Sequence, residues 1–204
     1  MKQNINCLCG NNFSIEYEEE VDFDKNPSSL DSILDGTFMS YICPACRKKH
    51  KPEFRIMIIW NSKKTTLEVL PEIERGEFYR RKKENSSYET VISFPEMADR
   101  VAVIKDDLEP VIIEALKSYL LAKAEENYPE KEINVWYHGK GQEGIEFHLE
   151  GIRAEEVAVM RVPYTVYEKT KTDYQKHPKS ELFLSLRVRS YLSVQNILRP
   201  DALK

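Results

Sequence analysis

The sequence predicts an α+β protein: a small β-rich N-terminal domain built around four cysteines, followed by a domain of mixed helix and strand. Three observations predict it. Cysteines stand as two close pairs, Cys7/Cys9 and Cys43/Cys46. Short segments on either side of the second pair alternate apolar and polar residues, the period of half-buried strands. Glu109 to Glu126 repeats apolar residues at helical spacing, which no earlier segment does over such a length.

The elements follow in order. Phe13 to Glu18 alternates apolar and acidic residues and predicts a half-exposed strand. Asn26-Pro27-Ser28-Ser29 carries helix start signals. Leu30, Ile33 and Leu34 supply a short apolar face, and Gly36 stands where a C-terminal cap belongs. Phe38 to Ile42 predicts a strand running into Cys43. Glu53 to Trp60 and Thr65 to Leu70 predict two more, joined by a turn near Asn61-Ser62. Glu72 to Ser87 is highly charged and predicts a surface connection, so the domains are expected at 1–75 and 88–204.

Beyond that connection, Ser93-Phe94-Pro95-Glu96 has the form of a capping box with proline in the first turn. In Glu109 to Glu126, Val111, Ile112, Ala115, Leu116, Tyr119 and Leu120 form the apolar stripe, and Pro129 bounds the helix. Glu132 to Tyr137 and Ile145 to Leu149 predict a hairpin around Gly139, Gly141 and Gly144. Val157 to Val162 predicts another strand, Tyr164 to Gln175 a polar helix, and Leu182 to Leu186 a strand. Ser190 to Leu198 fits either state. The sequence has no internal repeat and no low-complexity segment.

Charged residues make up 31% of the chain and apolar residues 41%, a balance that suits a folded globular protein. No apolar run approaches the ~20 residues of a membrane helix. Met1 to Cys7 has no apolar core like that of a signal peptide, so a cytoplasmic location and no membrane partner are expected. In that reducing compartment, clustered cysteines point to metal or redox chemistry rather than to disulfides. Thirty-three residues separate Cys9 from Cys43. Two close pairs around an insert of that size suit a tetrahedral four-thiolate site, so Cys7, Cys9, Cys43 and Cys46 are the expected ligands of one structural zinc ion. Four thiolates around Zn²⁺ carry a formal charge of −2, which Arg47, Lys48 and Lys49 can offset. Two other accounts of the thiols stand beside this one: buried reduced cysteine, and redox use of Cys43 and Cys46, whose C-P-x-C form occurs in thiol oxidoreductases.

The first 75 residues resemble the CpXC domain family, named for two C-P-x-C motifs a few tens of residues apart. The matching features are Cys7-Leu8-Cys9-Gly10, the Leu34-Asp35-Gly36 turn and Cys43-Pro44-Ala45-Cys46. Leu70-Pro71-Glu72 and Arg75 follow, then Lys105 to Lys117 as a helix after the ribbon. The first motif departs from the pattern in being C-x-C without proline. The second is followed by Arg47 instead of the glycine often found there. The resemblance implies a zinc-ribbon-like domain in a functionally uncharacterised family, and no activity. The cysteine pattern alone is also similar to the zinc centre of redox-switched heat-shock chaperones, over four residues only.

Other candidates carry less. His50 follows Cys46 by four residues and reads as a solvated histidine rather than a ligand. His138 and His148 share a hairpin face with Trp136, but two histidines lack the third ligand a metal site needs. The glycines at 139, 141 and 144 do not form a phosphate-binding motif. The net charge of −4 gives no general case for nucleic acid, although residues 1–39 balance at −6 and residues 40–83 at +7. Arg80-Arg81-Lys82-Lys83, beside Phe78 and Tyr79, is the best nucleic-acid feature, and a charged linker accounts for it better. No catalytic constellation emerges. The expectation is a zinc-binding, non-enzymatic binding or scaffold protein whose partner is most naturally another protein. The alternative is a thiol-based redox sensor or redox-switched chaperone that releases zinc on oxidation.

Overall fold

A computed structural model describes residues 1–81 and 87–198. Contacts divide the chain into two compact units, Met1–Phe78 with Asn85–Ala98, and Tyr79–Glu84 with Asp99–Lys204. Both helices and strands are present, as the α+β prediction requires.

The first unit opens with an antiparallel hairpin, β1 (Lys2–Asn6) and β2 (Asn12–Glu16), in the register Lys2↔Glu16 to Asn6↔Asn12. A short strand β3 (Glu20–Asp22) leads to helix α1 (Pro27–Leu34), with Asn26 as N-cap and Pro27 in its first turn. The strand expected from Phe38 reduces to β4 (Tyr41–Ile42), because Met39 takes φ 47° and breaks the extended run. β4 pairs with β5 (Lys49–His50). β6 (Ile56–Trp60) buries Ile56, Ile58 and Trp60 in alternation, and β7 (Thr65–Leu70) follows a one-turn 3-10 helix. Within this unit β3 runs parallel to β6, β6 antiparallel to β7, and β7 parallel to β8 (Glu89–Ile92).

The charged stretch after Leu70 is not a plain surface connection. Arg75 and Phe78 are buried in helix α2 (Arg75–Arg80). Burying a guanidinium requires partners. Arg75 donates to both carboxylate oxygens of Glu72 at 2.6 Å, to Glu96 at 2.7 Å and to the Ile92 carbonyl at 3.0 Å. The run of charge at 72–75 is therefore half of an ion cluster whose other half lies twenty residues on. Helix α3 (Phe94–Lys105) begins beside it, and the Glu96 N–H faces the Ser93 hydroxyl at 3.4 Å, as in the predicted capping box.

In the second unit, helix α4 (Pro110–Asn127) fills the core with Ile112, Ile113, Leu116, Leu120 and Leu121. It packs in one cluster with the inner face of an antiparallel three-stranded sheet, β9 (Asn134–Lys140), β10 (Gly144–Arg153) and β11 (Glu156–Pro163), whose order is β11-β10-β9. Val135, Tyr137, Ile145, Phe147 and Leu149 point inward, and the alternate residues point out. Helix α5 (Tyr164–Lys176) is mostly polar and buries Tyr167. The strand expected at Leu182 to Leu186 is instead helix α6 (Glu181–Ser185). Five apolar-rich residues are too few for either period to dominate. Phe183 and Leu186 are buried at i and i+3, which a helical turn satisfies and a strand does not. The ambiguous tail resolves into a two-residue pairing of β12 (Arg187–Val188) with β13 (Tyr191–Leu192), then helix α7 (Gln195–Leu198).

Gly151 holds a position in β10 that suits glycine alone. It takes φ +92°, and a Cβ there would collide with the Glu132 carbonyl oxygen. Gly151→Ala is accordingly expected to destabilise the second unit by about 1–3 kcal/mol. Urea unfolding followed by a second-unit signal measures this, and a change within experimental error would show that the position tolerates a side chain.

Candidate metal centre

Each cysteine pair sits on a tight turn closing a hairpin. In the first, the Cys7 N–H donates to the Asn11 carbonyl and the Gly10 N–H to the Cys7 carbonyl, both at 2.9 Å. In the second, the Cys43 N–H donates to the Lys48 carbonyl and the Arg47 N–H to the Cys43 carbonyl, again at 2.9 Å. Both turns place a left-handed residue directly after their second cysteine, Gly10 at φ +86° and Arg47 at φ 62°. That equivalence explains the sequence difference between the pairs. The first turn is one residue shorter between its cysteines, and its closing bonds contract by one residue in step. Glycine suits the left-handed position, while Arg47 occupies it at a steric cost of about 1–2 kcal/mol.

The two turns bring all four sulfurs together, within 4.8 Å of one another. Cys7 Sγ lies 3.5 Å from Cys46 Sγ, and Cys9 Sγ 3.8 Å from Cys43 Sγ. Such a cluster has the donors and the size to hold a metal ion. Cys7 and Cys43 are buried, whereas Cys9 and Cys46 are exposed. Around the sulfurs stand hydrogen-bond donors that stabilise negative charge. The backbone N–H groups of Cys46 and Ala45 face Cys43 and draw its thiol down to about 6, against the opposing pull of burial. The Cys9 N–H acts likewise on Cys7, but burial and the neighbouring thiols outweigh it and push Cys7 up to about 12. Four thiols packed this closely cannot all ionise without a cation among them.

Two side chains that the sequence did not assign complete the surroundings. The Asn11 amide donates to Cys43 Sγ at 3.7 Å. His50 is not a solvated loop residue: its Nε2 lies 3.2 Å from Cys7 Sγ, and its ring meets Phe13 edge-on at 5.7 Å between centroids. His50 thus reaches one of the clustered sulfurs. The pairing Tyr41↔His50 across β4 and β5 puts it there, a juxtaposition that spacing along the chain does not reveal.

The other candidates are placed elsewhere. His138 and His148 do share the outer sheet face, with rings stacked at 3.8 Å, while Trp136 donates to Glu150 at 2.9 Å. Burial and then His138 hold His148 below the usual histidine range. In the basic run, Arg80 ends α2 and the Arg81 carbonyl accepts from Arg189, while Lys82 and Lys83 lie outside the described residues. No helix among the described residues is long and apolar enough to cross a membrane.

The model of a family described as "CpXC protein" matches residues 5–117, more than half of the chain. The chain belongs to the CpXC family. The match takes in both cysteine pairs and runs into α4. A protein of Treponema pallidum (strain Nichols), described as "Uncharacterized protein", is 31% identical over 214 residues, covering 95% of this chain and 97% of the relative. The CpXC family is functionally uncharacterised, and this relative agrees with that. No solved structure matches.

Proposed function

We propose that the four-cysteine cluster of this CpXC protein binds one structural zinc ion, and that the chain is a non-enzymatic binding or scaffold protein stabilised by it. The sulfur geometry carries the reading. A tetrahedron of sulfurs with Zn–S bonds of about 2.3 Å has edges of about 3.8 Å, and the two S–S distances of 3.5 and 3.8 Å fit it. Cys7, Cys9, Cys43 and Cys46 would fill all four positions and leave none for water or substrate, the pattern of a structural site. Backbone donors, Asn11 and His50 would orient the thiolates and spread their charge. Bound there, zinc supplies a crosslink between the two hairpins.

Protons compete with zinc for thiolates, so the ion is expected to leave as pH falls and the first unit to lose stability in the same window. A chromogenic chelator monitors release. The alternative redox function gains from the exposure of Cys9 and Cys46, which leaves two ligand sulfurs open to oxidants. Stoichiometric peroxide separates the two. A scaffold retains its zinc, whereas rapid zinc release with disulfide formation, reversed by reductant, would replace the scaffold reading with the switch.

A further inference from the structure

The second unit holds a cavity of about 680 Å³ bordered by α4, β11, α5 and α6. Its size falls within the roughly 300–1,000 Å³ of small-molecule sites. Tyr119, Met160, Val166 and Leu182 line it and stay 51, 39, 37 and 39% exposed. They come from four different elements, so the fold, not one apolar run, assembles the patch. Singly exposed apolar residues are ordinary, but their convergence in a concavity marks a binding surface.

The polar groups narrow the ligand. The Thr170 hydroxyl is spent on the Val166 carbonyl at 2.9 Å. Arg161 is neutralised by Glu146 at 2.7 Å and Glu143 at 3.3 Å. That leaves Lys123 and Lys169 as lining cations with no carboxylate partner among the described residues. Lys123 Nζ sits 4.6 Å from the centre of the Tyr119 ring, at the apolar wall itself. Asp173 is the lone acid of the lining. His177 and Ser180 complete the polar side of the lining. Two ammonium groups beside hydrocarbon suit a ligand with one anionic head and a long apolar body.

We infer that this cavity binds a long-chain carboxylate, its chain against Met160, Val166 and Leu182 and its head at Lys123 and Lys169. The site is separate from the metal centre and does not depend on the zinc reading. Calorimetry with decanoate, undecanoate and dodecanoate below their aggregation limits tests it on the whole protein. Saturable binding is expected, tightening about fourfold per added methylene. Dodecylammonium should bind about tenfold more weakly than dodecanoate, because it meets like charge. The exposed double variant Lys123→Glu/Lys169→Glu should reverse that preference while leaving dodecanol binding unchanged, and Val166→Asp should weaken dodecanoate and dodecanol alike. Absence of saturable carboxylate binding would overturn the inference, as would equal affinity for dodecylammonium or indifference to the double variant.

Discussion

Cys43→Ser is expected to unfold the first unit and to leave the second folded. Cys43 is buried, accepts from the backbone N–H groups of Ala45 and Cys46, and is bonded by Asn11. It therefore anchors one turn and touches the other. Structural zinc supplies ~10–16 kcal/mol of apparent binding energy, whereas whole domains are stable by only ~5–15 kcal/mol. Outside the sheet, the cysteine-bearing region consists of two hairpins, one of them two residues to a strand, with few apolar contacts of its own. Losing one thiolate should exceed its reserve. The second unit has its own core around α4 and the β9–β11 sheet and should keep it. Hydrogen exchange resolves the outcome by region. Protection lost from Met1 to Leu70 and retained from Ile112 to Leu149 is the expected pattern. Uniform loss would mean that the two units fold as one, and protection retained around the cysteines would mean that the metal is dispensable.

Lys117→Met should produce the second largest effect, a loss of about 3–5 kcal/mol from the second unit, because it strands buried charge. Lys117 and Glu114 lie on α4, Asp99 and Arg100 on α3, and all four are buried. Its ammonium bonds Asp99 and, at 2.8 Å, Glu114. Asp99 also accepts the Tyr137 N–H at 2.6 Å, and Glu114 accepts the Val194 N–H at 2.7 Å. Two acids and two bases thus balance, tying α3, α4, β9 and the C-terminal segment together. Burial works against charge on Glu114, but Lys117 and Arg100 hold its carboxyl below the usual range, so its contribution is lost as pH falls through that lowered value. Asp99 behaves oppositely: burial raises its carboxyl despite Lys117, so ionising it weakens the fold as pH rises. Without Lys117 that penalty grows, and the variant should recover part of its deficit on acidification to about pH 4. Adding Asp99→Asn restores neutrality and keeps an acceptor for Tyr137, so Asp99→Asn/Lys117→Met should be more stable at neutral pH than Lys117→Met alone. Chemical unfolding of the three proteins decides it. Equal stability of both variants would show that the cluster is held by packing rather than by charge.

The cysteines, α1, β7 and α4 were legible because their signals are local. Paired thiols, an Asn-Pro start and a sustained helical stripe need no partner to be read. What the sequence concealed depends on partners distant in the chain. Arg75 reads as one more surface charge until Glu96 and the Ile92 carbonyl are beside it. His50 reads as a loop histidine until β4 and β5 pair and set it against Cys7. Leu182 to Leu186 is too short for its period to decide, and its helical form follows from burying Phe183 and Leu186 together. Lys117 and Glu114 even weaken the apparent helical stripe of α4, since polar residues occupy positions that the fold buries.

The central claim is that a metal closes the four-cysteine cluster, and elemental analysis of the protein purified without chelator tests it most directly. Close to one zinc ion per chain is expected, falling to none in Cys43→Ser. Wild-type protein that is folded, reduced and free of zinc and every other transition metal would contradict it.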